Sequence, residues 1–176
     1  TLGDGMLMVA ESGFGATNMD SFGGNDIEGE GLVDTRLRFF HIVNEWNADV
    51  ESGWQGVGYT IETYIPTGDI FKSTGADTWV VAPGIIGNYK IKEGARLFPI
   101  LSYVYTTPTD DFEKFTGIDE NTGAISIDFY ATTQNESGFY TLSHGGYQIG
   151  TDNREDSAYV QVRLGWMLNE SLTVGI

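Results

Sequence analysis

Apolar and polar residues alternate along much of the chain, which is the pattern of β-strands with two different faces. The alternation is strictest over residues 158–168 and recurs over residues 125–131 and 57–65. Less regular strands are predicted at residues 5–11, 35–43, 78–91, 95–106, 138–149 and 171–176. The pattern therefore predicts nine strands, and the strictest of them have one apolar and one polar face.

The lengths of the strands and of their connections favour a membrane barrel. Several predicted strands exceed ten residues, whereas globular strands average about five or six and a bilayer needs about nine to eleven. Short connections at residues 92–94, 134–136 and 169–170 alternate with longer ones at 107–123 and 151–156, as in outer-membrane barrels. This alternation of short and long connections leaves the last strand unpaired, so we expect a chain that lacks terminal strands or that closes its barrel with a partner.

Composition supports an all-β fold. The 24 glycines, the 13% of aromatic residues and the absence of cysteine favour many short strands joined by turns. We predict one domain, residues 1–176, folded as an antiparallel up-and-down transmembrane β-barrel of about 8 to 12 strands. The glycine-rich, acidic segment 12–31 is predicted to be a loop.

Charge and motif content exclude several functions. The formal net charge of -16 would repel a phosphate backbone, so no nucleic-acid partner is expected. No nucleotide-binding or hydrolase motif is present, and His41 and His144 lack the spacing of metal ligands. We therefore expect neither an enzyme nor a bound metal or cofactor.

Three segments resemble a known family: GLVDTRLR (residues 31–38), YIPTGD (64–69) and PGII (83–86). In this order they are similar to motifs of the bacterial outer-membrane proteins related to the phenol meta-pathway degradation transporter. The resemblance spans about residues 31–105, although Val33 stands where the family prefers glycine and the chain is shorter than is usual. It implies a β-barrel channel that passes small, often aromatic or hydrophobic compounds, without catalytic residues.

If the apolar rows face lipid, the opposite faces line a lumen. Charges cost about 2–4 kcal/mol at the lipid midplane, so charged residues within strands should point inward. They could guide a polar or anionic part of a solute, or they could form salt bridges that fill a narrow barrel. The candidates are Arg36, Arg38, Glu62, Arg96, Asp128 and Arg163.

Prolines and aromatic residues add two further predictions. Pro83 and Pro99 interrupt adjacent strands and are predicted to cause a kink or bulge. Aromatic rings near strand ends could form the two interfacial girdles of a barrel, or core pairs in a soluble sandwich. They are Trp46, Trp54, Tyr64, Trp79, Tyr89, Tyr103, Tyr105, Tyr130, Tyr140 and Trp166.

The leading hypothesis is an outer-membrane channel of a Gram-negative bacterium for passive uptake of small, aromatic or hydrophobic solutes. Its partners would be lipid and lipopolysaccharide, which the acidic outer loops could bridge through divalent ions, and it could form oligomers. One alternative is a soluble antiparallel barrel or sandwich that binds a small apolar ligand. The other is a structural β-protein that assembles by pairing of edge strands.

Overall fold

The computed structural model describes residues 6–19, 27–45, 51–69, 75–152, 155–169 and 172–175. Within these ranges the chain forms strands and one short helix. The elements are β1 (Met6–Glu11), β2 (Phe14–Met19), β3 (Ile27–Leu32), β4 (Thr35–Glu45), β5 (Gly53–Ile65), β6 (Thr78–Lys92), β7 (Ala95–Pro108), α1 (Asp110–Thr116), β8 (Thr122–Gln134), β9 (Phe139–Asp152), β10 (Ser157–Asn169) and β11 (Leu172–Gly175).

Nine strands form one antiparallel sheet in the order β1-β4-β5-β6-β7-β8-β9-β10-β11. From β4 onward each strand pairs with the next in the chain, and β1 pairs with β4 across the inserted segment of β2 and β3, so the topology is up-and-down. Each of the nine predicted strands corresponds to a strand of this sheet, and the all-β prediction is confirmed. Among the described residues the sheet is not closed, since β1 pairs only with β4 and β11 pairs only with β10.

Two segments predicted as plain connections contain regular structure. The segment 12–31 is not a loop, because β2 and β3 form a separate two-stranded hairpin there, paired from Phe14↔Leu32 to Met19↔Ile27. Its strands are rich in glycine and short of alternating apolar residues, so pairing between them, rather than propensity, maintains the extended conformation. The long connection after β7 contains α1, which Thr109 caps at its start and the left-handed Gly117 ends.

No helix of the described ranges is both long and apolar enough to cross a membrane.

The sheet curls strongly about its polar face. The guanidinium Nη2 of Arg36 on β4 lies 3.4 Å from the hydroxyl of Tyr130 on β8, although three strands lie between them in the sheet. The polar face is therefore concave, and side chains from distant strands meet inside it. The other face is convex.

Apolar side chains cover the convex face in rows that run across the strands. In one row Tyr59, Ile85, Leu101, Ile127 and Tyr147 are direct cross-strand partners on five successive strands. All five are exposed, and Ile85 reaches 63%. Neighbouring rows contribute further exposed apolar residues, among them Val57, Ile61, Val81, Tyr103, Tyr105, Ile125, Phe129, Ile149, Val160, Val162 and Leu164.

Aromatic residues occur near both ends of this convex face. Trp79, Tyr103 and Tyr105 lie toward the long connections, whereas Trp54 and Tyr89 lie toward the short turns and contact each other edge to face at 5.4 Å. Tyr64 and Tyr130 do not lie on the convex face. Both contact arginines on the concave face, so their assignment to the girdles was wrong. Trp46 and the side chain of Trp166 lie outside the described residues.

The concave face is packed differently at its two ends. Toward the long connections its buried apolar residues are small: Ala82, Val104 and Ala124. Toward the short turns they are larger: Ile86, Ile100 and Tyr130 pack together, with Phe40, Ile42, Phe98 and Leu142 against them. Small side chains leave volume and large ones fill it, so open space is expected near the long connections.

Candidate functional site on the concave face

Four charged residues form an ion cluster on β1, β4 and β5. Arg38 and Glu62 are cross-strand partners, and Arg36 lies two residues along the same face. Glu62 Oε2 is 2.6 Å from Arg36 Nη2 and 2.8 Å from Arg38 Nε, the latter without hydrogen-bond geometry. Glu11 adds longer ion pairs to both arginines, at 3.8 and 3.6 Å. The four formal charges sum to zero, so these arginines are neutralised by neighbouring carboxylates.

Two tyrosines extend this ion cluster. The Arg36 guanidinium carbon lies 5.0 Å from the centre of the Tyr64 ring, and that of Arg38 lies 5.4 Å from the Tyr130 ring. Both distances are within cation–π range. The arginines are thus held by carboxylates on one side and by aromatic faces on the other.

A second polar cluster surrounds Asp128 on β8. The Ser126 hydroxyl donates to Asp128 Oδ2 at 2.8 Å, and the Tyr159 hydroxyl donates to Oδ1. His144 Nε2 lies 3.3 Å from the same Oδ1 and 3.1 Å from the Tyr159 hydroxyl. Asp128, Ser126 and His144 are 7%, 1% and 6% exposed, so a buried carboxylate is satisfied mainly by neutral donors.

Gly146 makes this second cluster possible. It is the cross-strand partner of both Asp128 and Tyr159, and so lies between them in the sheet. A side chain there would overlap Asp128 Oδ1 and approach the Tyr159 hydroxyl to 2.8 Å. The missing Cβ therefore lets the tyrosine reach across β9 to the carboxylate.

The two clusters adjoin through one stacked pair. The rings of Tyr130 and His144 lie 3.7 Å apart at 11°. Tyr130 also accepts from Arg36, and His144 also contacts Asp128. A continuous polar layer thus crosses the concave face from β4 to β10.

A cleft of about 790 Å³ lies above this layer, toward the long connections. Arg36, Glu62 and Tyr64 line one side, and His144, Gln148 and Tyr159 line the other. A niche of about 40 Å³ continues from it, sharing Arg36, Glu62 and Tyr159 and adding Asp128 and Tyr130. Beyond the niche, the apolar side chains around Ile86 and Ile100 fill the concave face.

The structure brings four of the six candidate residues into these two clusters and places a fifth, Arg96, elsewhere. Arg36, Arg38 and Glu62 are in the ion cluster, an arrangement of internal salt bridges, and Asp128 is in the second cluster. Arg96 lies near the short turns, where its Nη1 donates to Gln55 Oε1 at 2.8 Å. The side chain of Arg163 lies outside the described residues. That any of them lines a transport lumen stays a prediction.

The two prolines interrupt pairing between β6 and β7 without changing its register. Cross-strand partners are Val81↔Tyr105 before Pro83 and Gly84↔Ser102 after it, which is the same alignment. The alignment is likewise unchanged across Pro99. No residue is inserted at either proline, so neither forms a bulge in this ladder; a kink there stays a prediction.

In the cluster around Asp128, the serine and the histidine do not form a nucleophile–base pair. Ser126 donates to Asp128 and not to His144, so the imidazole is not placed to take the serine proton. Among the described residues, no group of three or more His, Asp or Glu side chains converges closely enough to hold a metal ion.

Sequence reasoning missed His144, Tyr159 and Tyr130. His144 was set aside because it lacks ligand spacing along the chain, yet its partners come from neighbouring strands. A usable signal was present, because alternation places Tyr130 on the face of Asp128, and Tyr159 opposite the apolar row of β10.

The chain matches no protein-family model, and comparisons with curated proteins and with solved structures find no significant match. The family suggested by the three motifs therefore stays a prediction.

Proposed function

We propose that this protein is an outer-membrane β-barrel that passes small solutes through its interior. The observation that carries the proposal is the sidedness of the sheet. Its convex face exposes apolar residues on adjacent strands, while its charged residues Arg38 and Asp128 are buried on the concave face. A water-soluble sheet would bury its apolar face, and an exposed apolar surface of this extent is typical of contact with lipid.

The height of the apolar face supports the same proposal. Along β6, Trp79 and Tyr89 mark the two aromatic ends of the convex face. At ~3.3 Å per residue they are about 33 Å apart along the strand, which becomes about 25 Å at a tilt of ~40°. That is the height of the apolar band of outer-membrane barrels.

The connections support one orientation. Residues 66–77 and 109–121 connect strands at one end of the sheet, whereas Glu93–Gly94 and residues 135–138 form tight turns at the other. Outer-membrane barrels place long connections outside and short turns in the periplasm. The cleft would then open outward, and a solute would have to pass the apolar cluster around Ile100 to cross.

Conductance across a planar bilayer tests the channel. The refolded chain is expected to show small conductance steps, because large side chains narrow the periplasmic half. Ile86→Ala with Ile100→Ala should enlarge the steps, whereas Leu101→Ala, which faces outward beside Ile100, should leave them unchanged. If the protein inserts and neither it nor the double variant conducts at any voltage, the channel proposal is wrong.

A second candidate is assembly through the sheet edges, favoured by the strands β1 and β11, each paired on one side only within the described residues. In that arrangement two copies would close one sheet. Light scattering in detergent decides it, since a single-chain mass contradicts assembly and a stable dimer mass supports it.

A further inference from the structure

We propose that the outward cleft binds small primary amines in their protonated form, with Asp128 as the carboxylate that receives the ammonium group. This inference takes the concave face as the interior of a barrel and so rests on the proposed function. It is argued from charge, from volume and from the aromatic rings around the cleft.

The charged residues around the cleft determine whether a cation or an anion is the better ligand. Arg36 and Arg38 are neutralised by Glu62 and Glu11, so they offer little to an anion. Among the described side chains, no lysine or arginine nitrogen lies within 4 Å of Asp128, which instead contacts two hydroxyls and an imidazole. The acidic chain, with its net charge of -16, adds a potential that attracts cations. A cation is therefore favoured over an anion.

Volume sets the size of the charged group. The niche beside Asp128 offers about 40 Å³, where about 10–15 Å³ is the least that holds one water molecule. An ammonium group, which is about the size of a water molecule, enters this space more easily than the bulkier trimethylammonium group. The remainder of the ligand would lie in the cleft of about 790 Å³, which has ample room for one ring.

Aromatic side chains complete the site. Tyr130 and Tyr159 line the niche, and Tyr64 lines the cleft. Arg36, Arg38 and His144 already cover the faces of Tyr64 and Tyr130, so these two rings offer an ammonium group their phenol oxygens, which can accept its hydrogen bonds. The site therefore matches an aromatic or aliphatic primary amine better than a carboxylic acid of the same shape.

Four probes that share one ring separate these contributions: benzylamine, benzyl alcohol, benzoate and benzyltrimethylammonium. Each is titrated calorimetrically at pH 7 into the full refolded chain in a non-ionic detergent, with the micelles alone as blank. Benzylamine should bind at least tenfold more tightly than benzyl alcohol and benzyltrimethylammonium, and benzoate should bind least. Benzoate binding that equals or exceeds benzylamine binding would overturn the proposal.

Two variants assign the effect to Asp128. Asp128→Asn should lower benzylamine affinity about tenfold and leave benzyl alcohol unchanged, whereas Asp111→Asn on the exposed face of α1 should change neither. Tyr159→Phe removes a donor that occupies Asp128 Oδ1, so it should raise benzylamine affinity severalfold. If Asp128→Asn does not fold, Tyr159→Phe decides, and an unchanged or lowered affinity would overturn the proposal. Binding in detergent and conductance in a bilayer are separate measurements, so the amine site and the channel can fail independently.

Discussion

The two faces of the sheet bury opposite kinds of side chain. On β8, Ile125, Ile127 and Phe129 are exposed on the convex face, whereas Ser126 and Asp128, which alternate with them, are buried on the concave face. A soluble protein would show the reverse pattern, because exposed apolar surface costs free energy in water and buried charge costs more. The proposed function accounts for this difference, because lipid outside the sheet would be less polar than the interior that the sheet encloses.

The concave face also shows how charged side chains are buried. Five of the charged side chains there, Glu11, Arg36, Arg38, Glu62 and Asp128, are grouped in two clusters, one electrically neutral and one centred on a single carboxylate. Buried ion pairs contribute little net stability, yet removing one partner leaves the other charge uncompensated. Substitutions in these two clusters are therefore expected to lower the stability more than substitutions elsewhere on either face.

The largest expected effect is the loss of Glu62. In Glu62→Ala, both arginines lose their closest carboxylate, at 2.6 and 2.8 Å, while their side chains stay 14% and 8% exposed. We expect the free energy of unfolding to fall by about 3–5 kcal/mol, as for other broken buried pairs. Urea unfolding of the protein from lipid vesicles, followed by tryptophan fluorescence, measures it.

Glu93→Ala is the matched control. Glu93 forms an ion pair of 2.8 Å with Lys90, but its side chain is 94% exposed in a turn. We expect no measurable loss of stability, since water screens this pair. Equal losses in the two variants would mean that the concave face is as open to water as the turn, and the contrast between the faces would disappear.

A smaller effect is expected on the convex face. Ile127 lies in the middle of the exposed row, and an arginine there would cost about 2–4 kcal/mol at a lipid midplane. Ile118→Arg, in the connection after α1, should cost nothing because Ile118 is 49% exposed outside the strands. The same vesicle unfolding assay compares them. If Ile127→Arg is neutral and the protein stays in solution without detergent, the convex face contacts water.

Sequence periodicity predicted the strands well because alternation is a local property. All nine predicted strands are present, whereas the hairpin of β2 and β3 was missed, since its glycine-rich strands lack the alternation that marks the others. The contacts between side chains on the concave face depend on the register of the strands and on the curvature of the sheet. The pair of Arg38 and Glu62 depends on the alignment of β4 and β5, which shifts at a bulge between Ile42 and Asn44. The contact of Arg36 with Tyr130 depends on the curvature of five successive strands.

The smallest expected effect lies at the rim, where the convex face meets the connection between β9 and β10. The hydroxyl of Tyr147 donates to Asp156 Oδ2 at 2.8 Å, and the Gly150 N–H donates to Oδ1 at 3.0 Å. These hydrogen bonds, the first more than the second, lower the pKa of Asp156 below its ordinary value of 3.8. A lowered pKa in the folded state contributes stability above the unfolded value, and that contribution is lost as the pH falls through the folded pKa.

Tyr147→Phe removes the larger of these two causes and keeps the ring on the convex face. We expect the pKa of Asp156 to rise part of the way toward 3.8, because the Gly150 N–H still donates to the carboxylate. Carbon-13 NMR titration of the carboxylates measures it, with Tyr105→Phe as the control that should leave Asp156 unchanged. A pKa that does not move would mean that the Tyr147 hydroxyl does not reach Asp156, so that the connection between β9 and β10 is not held against the convex face.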